Sequence, residues 1–277
     1  MNNPSPRPGA VRILVKTTLV GMGVLLIAFG SLSCARKPVK LRWKLEQGKT
    51  YVYKSDFTGT WRIEGWENGE RGGTFGNLTM TTMQVTGVED SAFRIHETTE
   101  LIREGEKFTP TVYDYRLAPN GKLYGIESYD SGSAPRIFPS KERREQFFSE
   151  TQPTYPDFEL QPGEHWVQET KVVLDDRILT ATNEFTVNGW EKVKDDMCLE
   201  ISYSGVMIIP HKRGDAELLD NGKASGTIWF APDKGLLIQQ VDTLYVATTR
   251  VMPEGKKAPT ATYIVESVRV YELQEIK

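Results

Sequence analysis

The stretch YVYKSDFTGTWRIEGW, residues 51–66, decides the fold class because its side chains alternate in character. One parity is aromatic or aliphatic and the other is charged or hydroxylated. The apolar parity holds Tyr51, Tyr53, Phe57, Trp61 and Ile63. A period of two is typical of a half-buried β-strand, whose successive side chains point to opposite faces. We therefore predict a long strand with an aromatic stripe, and a bend or bulge at Gly59.

Turn signals divide the rest of the chain into further strands. Asn-Gly pairs, which favour hairpin turns, stand at residues 68–69, 120–121, 188–189 and 221–222. Another turn signal is PDKG at 232–235. The segments between these signals are rich in Thr, Val, Ile, Tyr and Trp, which suit a pleated surface. Near Thr81-Thr82 the apolar parity changes, which predicts a β-bulge.

One segment favours a helix instead. Ser140 can cap its N-terminus, and the charged run that follows extends it to about Glu150. Pro153, Pro156 and Pro162 then predict an extended connector between two halves of similar strand content. We predict a mainly β fold: one large curved antiparallel sheet or half-open barrel of about a dozen strands, with one short helix.

The first residues have a different composition. Arg7, Arg12 and Lys16 are the only charges before residue 34, and residues 17–33 are uncharged and largely apolar. A basic head, an apolar run and small residues before a cleavage point are typical of a secretory signal. A membrane-spanning helix needs about 20 apolar residues, so this run is short for a span.

Leu32-Ser33-Cys34 at the end of this run resembles the lipobox of bacterial lipoproteins. The resemblance implies cleavage between Ser33 and Cys34 and attachment of diacylglycerol to the Cys34 thiol, so that acyl chains hold the protein on a membrane. Ala35, in place of Asp, implies sorting to the outer membrane, facing the periplasm. Ser31 stands where an aliphatic residue is usual. Plain secretion and an uncleaved anchor therefore remain alternatives.

These features predict a signal peptide (1–33), a tether (34–40) and a single β-rich domain (41–273). The chain has 277 residues and a net charge of −3. Three basic residues lie in 1–33, so the rest holds 31 basic and 37 acidic residues and carries −6. A mildly acidic body argues against nucleic-acid binding, which requires a clustered basic face.

The sequence contains no familiar catalytic motif, and we predict no metal, no cofactor and no enzymatic activity. The three histidines are far apart, and Cys198 has no ligand near it in sequence. The pairs Asp175-Asp176 and Asp195-Asp196 could bind calcium or flank a glycosidic bond, but solvated turn acids are the simpler interpretation. Cys198 is interpreted as a spectator thiol, with a disulfide to Cys34 as the alternative.

The aromatic stripe of Tyr51, Tyr53, Phe57 and Trp61 is interpreted either as core or as the wall of a ligand cavity. The layout, with LQPGEHW at 160–166 and GTIWF at 226–230, resembles the lipoprotein-carrier (Lol-type) superfamily and uncharacterised secreted β domains. In those carriers a half-open barrel holds acyl chains, so the resemblance implies the fold type and no functional residue.

The leading hypothesis is a non-enzymatic envelope lipoprotein that is anchored in membrane lipid through Cys34 and binds an apolar ligand or lipid in its curved sheet. A second hypothesis is a structural or interaction module with a solid core that binds another envelope protein. A third is a hydrolase of envelope polymers, which would need two carboxylates about 5–10 Å apart in a cleft.

Overall fold

The computed structural model describes residues 37–65, 71–103, 105–130, 153–174, 177–213, 216–251 and 261–277. In these ranges the chain forms twelve strands: β1 (Thr50–Glu64), β2 (Arg71–Glu89), β3 (Ala92–Arg103), β4 (Glu106–Lys107), β5 (Thr111–Leu117), β6 (Leu123–Asp130), β7 (His165–Leu174), β8 (Arg177–Val193), β9 (Asp196–Arg213), β10 (Ala216–Ala231), β11 (Leu236–Val251) and β12 (Thr262–Ile276). None of the described segments is a helix long and apolar enough to cross a membrane.

All twelve strands belong to one antiparallel sheet in the order β6-β5-β3-β2-β1-β12-β11-β10-β9-β8-β7, with β4 beside β3. β1 and β12 pair in the middle, and each half of the chain runs outward from this pair as a meander. The edge strands β6 and β7 do not pair with each other within the described residues, so the sheet is not closed. The prediction of a mainly β fold built on one large antiparallel sheet is confirmed.

The sheet is curved, because strands far apart in its order line one interior space. Ile126 of β6 and Tyr203 of β9 both face this space, although seven strands lie between theirs in the sheet. We call the face that carries these side chains the inner face and the opposite one the outer face. A second buried cluster, around Phe185, Leu199 and Phe230, extends the inner core.

β1 shows the alternation that its sequence predicts. Tyr51 and Tyr53 lie on the inner face with 2% and 1% of their surface exposed, whereas Lys54 and Asp56 form an ion pair on the outer face. The cause is the period of two, which places the aromatic parity on the side that curls around the core. The prediction of a long half-buried strand is confirmed.

The bulge predicted at Gly59 is wrong. The ladders on both sides of β1 run through Gly59 without a shift. A Cβ at this position would lie 2.5 Å from the carbonyl oxygen of Glu266 and 2.5 Å from the ring of Phe75. Glycine is needed there because the neighbouring strands come too close for a side chain.

The bulge predicted near Thr81-Thr82 is also misplaced. The β1–β2 register is continuous through these residues, and the shift falls later, between Val85 and Gly87 on the β3 side. Leu78 and Met80, which suggested a change of parity, simply lie on the outer face. Apolar residues on a solvent-facing side are common and do not by themselves mark a change of register.

The Asn-Gly signals have mixed outcomes. Asn120-Gly121 forms the turn between β5 and β6, with φ of +89° at Gly121, and Pro232–Gly235 forms the turn between β10 and β11. Asn188-Gly189 and Asn221-Gly222 were wrongly predicted as turns: the first is a bulge within β8, and the second lies inside β10. At Asn221-Gly222, pairing with strands on both sides overrides the local preference, whereas Asn188-Gly189 lies beside β9 alone. Asn68-Gly69 lies outside the described residues.

The predicted helix from Ser140 to Glu150 also lies outside the described residues. The connector that follows it is extended, as Pro153, Pro156 and Pro162 predict. It is anchored to both halves of the sheet. The amide of Thr154 donates to Gln168 Oε1 at 3.2 Å, and the amide of Tyr155 donates to the carbonyl of Asn120 at 2.8 Å.

Residues before β1 close one end of the curved sheet. The amide of Trp43 donates to the carbonyl of Pro119 at 2.7 Å, and the amide of Lys44 donates to the carbonyl of Gly235 at 3.0 Å. Leu41 and Leu45 are buried in the two inner clusters. The end of the sheet nearest the N-terminal segment is therefore the base of the domain.

Residues Pro38–Lys277 form one compact unit. It contains every described strand and both apolar clusters, so a chain that starts at residue 35 keeps each element on which the sheet depends. Residues 1–36 lie outside the described ranges, so the signal peptide and the boundaries of the tether remain predictions.

Candidate functional site

A cavity of about 600 Å³ lies on the inner face of the sheet. Its lining includes side chains from ten strands, together with residues of the base and the connector. These are Trp43, Thr81, Met83, Glu97, Tyr113, Tyr115, Leu117, Gly121, Leu123, Ile126, Pro153, Tyr155, Gln168, Asn183, Phe185, Tyr203, Ala224, Ile228, Leu237, Gln240, Arg269 and Tyr271. Its volume is within the range of about 300–1,000 Å³ that is typical of small-molecule sites.

The connector seals the gap between the two edge strands. Ile126 of β6 and Gln168 of β7 both line the cavity, so the sheet curls until its edges flank one space. Between them, Tyr155 and Pro153 complete the wall, and the Thr154 amide bonds to Gln168. Pro153 and Tyr155 of the connector thus line the space between two edge strands that do not pair with each other within the described residues.

Aromatic pairs build the apolar part of the wall. Tyr271 stacks on Tyr53 with ring centroids 4.8 Å apart and an interplanar angle of 5°. Phe185 stacks in the same way on Trp166, at 4.8 Å. Stacked pairs of this kind contribute about 0.5–1.5 kcal/mol beyond the area they bury. They hold the lining rings in fixed positions.

A polar cluster on the second half of the sheet is centred on Asp242 of β11. Its carboxylate accepts hydrogen bonds from Gln240 Nε2 at 2.9 Å, from Arg269 Nε at 2.7 Å, from Arg269 Nη2 and from the Tyr203 hydroxyl. Asp242 is buried, and Arg269, Tyr203 and Gln240 line the cavity. The cluster joins residues of three strands, β9, β11 and β12.

The missing side chain of Gly226 makes this cluster possible. β10 lies between β9 and β11, and Gly226 stands opposite both Tyr203 and Asp242 in the two ladders. A Cβ at Gly226 would lie 2.7 Å from Tyr203 Cε1 and 2.9 Å from Asp242 Oδ1. Tyr203 therefore reaches Asp242 across β10 only because position 226 is a glycine.

A second polar group faces the cavity from the first half of the sheet. Glu97 of β3 accepts from the Tyr115 hydroxyl at 2.7 Å and from the Thr99 hydroxyl at 3.3 Å. The Thr81 and Thr99 hydroxyls are 3.1 Å apart. Burial raises the pKa of Glu97 above its ordinary value, although both hydrogen bonds act in the opposite direction.

Tyr271 of β12 lines the cavity together with both polar groups. Burial raises the pKa of its hydroxyl, Glu97 raises it further, and Arg269 lowers it. The interior thus combines apolar side chains with a carboxyl group of β3 and a guanidinium group of β12.

The four stripe residues lie on the inner face but beside the cavity. Tyr51 and Tyr53 are buried in the core. The ring of Phe57 packs on that of Phe75, with centroids 5.4 Å apart, and the ring of Trp61 packs on that of Tyr263, with centroids 6.1 Å apart. None of the four is among the described lining residues. Tyr53 touches the site indirectly, through its stack on Tyr271. Their ligand-binding role remains a prediction.

The other sequence candidates are not assembled into a reactive site. Cys34, Ser33 and Asp175-Asp176 lie outside the described residues. Asp196 forms an ion pair with Lys234 at 2.7 Å. Cys198 is a free, fully buried thiol, and burial raises its pKa to about 11, which disfavours the nucleophilic thiolate. The described residues contain no group of three or more side chains that could hold a metal ion.

His96, Asp114 and Ser128 are close together on the outer face. His96 Nδ1 lies 2.7 Å from Asp114 Oδ1, and the Ser128 hydroxyl donates to the other oxygen of the same carboxylate. Partial burial raises the pKa of Asp114, but these two hydrogen bonds outweigh it and lower the pKa. Serine and histidine both bond to the carboxylate rather than to each other, so this is not a nucleophile–base pair.

A larger groove of about 1050 Å³ crosses seven strands outside this cavity. Its lining is dominated by side chains of the outer face, such as Thr58, Thr243 and Ser204. The hydroxyls of these three residues are exposed, and Ser267 is the buried polar residue among the described lining residues. The inner cavity is the better candidate site because fixed polar groups meet an apolar wall there.

Glu97, Asp242, Arg269 and Tyr203 were missed in the sequence. A signal existed for one of them: Glu97 has the same parity as Phe93, Ile95 and Leu101 and so had to face inward. Asp242 and Arg269 could not be paired from sequence, because 27 residues separate them and only the register brings them together.

Comparison with known proteins gives no family for this chain. No family model matches it, and no curated protein matches it. Among solved structures, the crystal structure of an outer-membrane channel from Pseudomonas putida F1 is similar over 86% of this chain and 100% of its own, with 8% identity and a TM-score of 0.25. A similarity this low supports no functional conclusion.

Proposed function

We propose that this protein is a non-enzymatic envelope lipoprotein that binds an apolar ligand or lipid inside its curved sheet. The observation that carries the proposal is the inner cavity of about 600 Å³. A solid-core interaction module would fill this space with side chains, as protein interiors normally are. The proposal therefore favours ligand binding over a purely structural role.

The composition of the wall supports an apolar ligand. Met83, Leu117, Leu123, Ile126 and Phe185 all face the cavity. Apolar surface removed from water contributes about 25 cal/mol per Å². A ligand with a hydrocarbon part would gain affinity from these residues, while the polar groups of the wall, such as Gln168, Asn183 and Gln240, would orient it.

The location is inferred from the sequence. The uncharged run at 17–33 and the Leu32-Ser33-Cys34 motif support export and a lipid on Cys34, with outer-membrane sorting and a periplasmic domain. Two acyl chains give stable attachment at about 0.8 kcal/mol per buried CH₂. The domain would then present its cavity next to a membrane that supplies apolar ligands.

Lipid attachment is tested by labelling. We expect the full chain, expressed in a bacterial host, to incorporate labelled palmitate. Cys34→Ser should abolish the label, and Cys198→Ser, the matched control, should retain it. An unlabelled product that keeps its leader would refute the anchoring part of the proposal.

Ligand binding is tested on residues 35–277. Native mass spectrometry should show a co-purified small molecule, and the apolar fluorophore N-phenyl-1-naphthylamine should bind and compete with it. Ile126→Trp, which fills the cavity, should weaken fluorophore binding at least tenfold. Ile208→Trp places the same side chain on the outer face, where Ile208 is exposed, and should have no effect.

Thermal melts of both tryptophan variants serve as the control that the sheet remains folded. A folded wild-type domain that binds neither a cellular molecule nor the fluorophore would exclude the ligand-binding function.

A further inference from the structure

We propose that the ligand is an amphiphile with an oxyanion head, and that Arg269 binds this head inside the cavity. The inference rests on the proposed function, since it specifies what kind of molecule the cavity accepts. The shared chemistry is an alkyl chain that ends in a carboxylate or a phosphate monoester.

One edge of the Arg269 guanidinium group makes no hydrogen bond to Asp242. Arg269 donates to Asp242 through Nε and Nη2. An arginine has five N–H donors, so three remain: both on Nη1 and one on Nη2. Among the described residues nothing accepts from Nη1, and the Arg269 side chain is 47% exposed although it lines the cavity, whereas that of Asp242 is 11% exposed. Arg269 is thus half-covered on one side and open on the other.

The guanidinium group of Arg269 is preorganised. Asp242 is held by Gln240 and Tyr203 as well as by Arg269. These bonds fix the carboxylate, and the carboxylate fixes the plane of the guanidinium group. A donor that is already oriented loses little conformational entropy on binding, which increases affinity.

The free donors of Arg269 favour an oxyanion over a neutral head group. Hydrogen bonds between a guanidinium donor and a charged oxygen are roughly twice as strong as neutral ones. The Tyr271 hydroxyl lies in the same wall and can add a donor. Glu97 lines the cavity from the first half of the sheet, and burial raises the pKa of its carboxyl group.

The position of the hydrocarbon part follows from the lining of the cavity. Leu117, Leu123 and Ile126 line the cavity on the first half of the sheet, whereas Arg269 and Gln240 line it on the second half. A head held at Arg269 therefore leaves its chain facing apolar side chains. This arrangement suits a molecule with one polar end and a hydrocarbon chain.

The test compares three ligands with the same chain: dodecanoate, dodecyl phosphate and dodecanol. Their affinities for residues 35–277 are measured by displacement of N-phenyl-1-naphthylamine. We expect at least one anion to bind ten times more tightly than the alcohol. The anion with the higher affinity identifies the head group as a carboxylate or a phosphate.

The variant arm removes both charges together, so that no unpaired carboxylate is left behind. Asp242→Asn with Arg269→Gln should lower anion affinity at least tenfold and change dodecanol affinity less than threefold. The matched control is Arg62→Gln with Glu266→Gln, which removes an ion pair of 2.8 Å from the outer face and should change neither affinity.

The outcomes separate the inference from the proposed function. Equal affinities for the anions and the alcohol, or an anion preference that survives the Asp242/Arg269 variant, would overturn the role of Arg269 and leave ligand binding intact. Binding of none of the three ligands, by a domain with a wild-type melt, would overturn both.

Discussion

Replacing Gly226 with alanine tests how the polar cluster of the cavity is built. The new Cβ would lie 2.4 Å from the Val241 carbonyl oxygen, 2.7 Å from Tyr203 Cε1 and 2.9 Å from Asp242 Oδ1. Overpacking of this kind costs about 1–3 kcal/mol. If the Tyr203 hydroxyl leaves Asp242, a hydrogen bond to a charged group worth about 1.5–3 kcal/mol is lost as well.

The free energy of unfolding of Gly226→Ala should therefore fall by about 2.5–6 kcal/mol, measured by urea denaturation of residues 35–277. Gly76→Ala is the matched control in β2, because its Cβ would meet only Phe57 O at 3.6 Å and Thr58 Cγ2 at 3.7 Å. This variant should be unchanged or more stable by about 0.5–1 kcal/mol. Equal effects at the two positions would refute the role assigned to Gly226.

A double variant identifies the route of the effect. Tyr203→Phe removes the hydroxyl that bonds to Asp242 and keeps the ring. If Gly226→Ala acts by displacing this hydroxyl, the double variant should lose less stability than the sum of the losses in the two single variants. Strict additivity would mean that the clash with Val241 alone destabilises the strand.

Three further predictions concern single side chains. Glu97 keeps its proton to a higher pH in the folded state than in the unfolded chain, so its contribution to stability is present at low pH and is lost as pH rises through the raised pKa. Urea midpoints at pH 4.5 and 7 should therefore differ less for Glu97→Gln than for the wild type, and Glu100→Gln on the outer face should keep the wild-type difference. Cys198 of residues 35–277 should react with Ellman's reagent at pH 8 only when urea unfolds the domain, since the buried thiol has a pKa of about 11; rapid reaction of the native domain would contradict its burial. Ser267→Ala should raise stability by about 1 kcal/mol in thermal or urea unfolding, because the buried Ser267 Oγ has no hydrogen-bond partner among the described residues; a loss would show that this oxygen is bonded.

The strands were predictable from the sequence where one face is buried and the other is exposed to solvent. Residues 51–64 alternate because Tyr51 and Tyr53 face the core while Lys54 and Asp56 face solvent. The turns were less predictable, because an Asn-Gly pair favours a turn only where the chain is free to reverse. At Asn221-Gly222 both neighbours of β10 continue past the pair, so the ladders hold it extended.

The candidate site was predictable only in outline. A curved sheet with an interior could be inferred from the strand count and the aromatic stripe. The polar residues of the cavity could not, because Tyr203, Asp242 and Arg269 meet through the register of four strands and through the absence of a side chain at Gly226. Register depends on the packing of the whole sheet and is not encoded within any one segment.

The polar groups of the cavity are better explained by binding than by folding. β11 and β12 are already joined by main-chain pairing from Gln239 to Thr248, so the Asp242–Arg269 pair is not needed to hold them together. The pair is also a weak source of stability, because the desolvation of Asp242 offsets the attraction and the half-exposed Arg269 remains in contact with solvent. Glu97 opposes folding at neutral pH, since burial disfavours its charged form. Groups that stabilise the fold little, yet are held in place by several hydrogen bonds beside a cavity with apolar walls, have the properties expected of a recognition site.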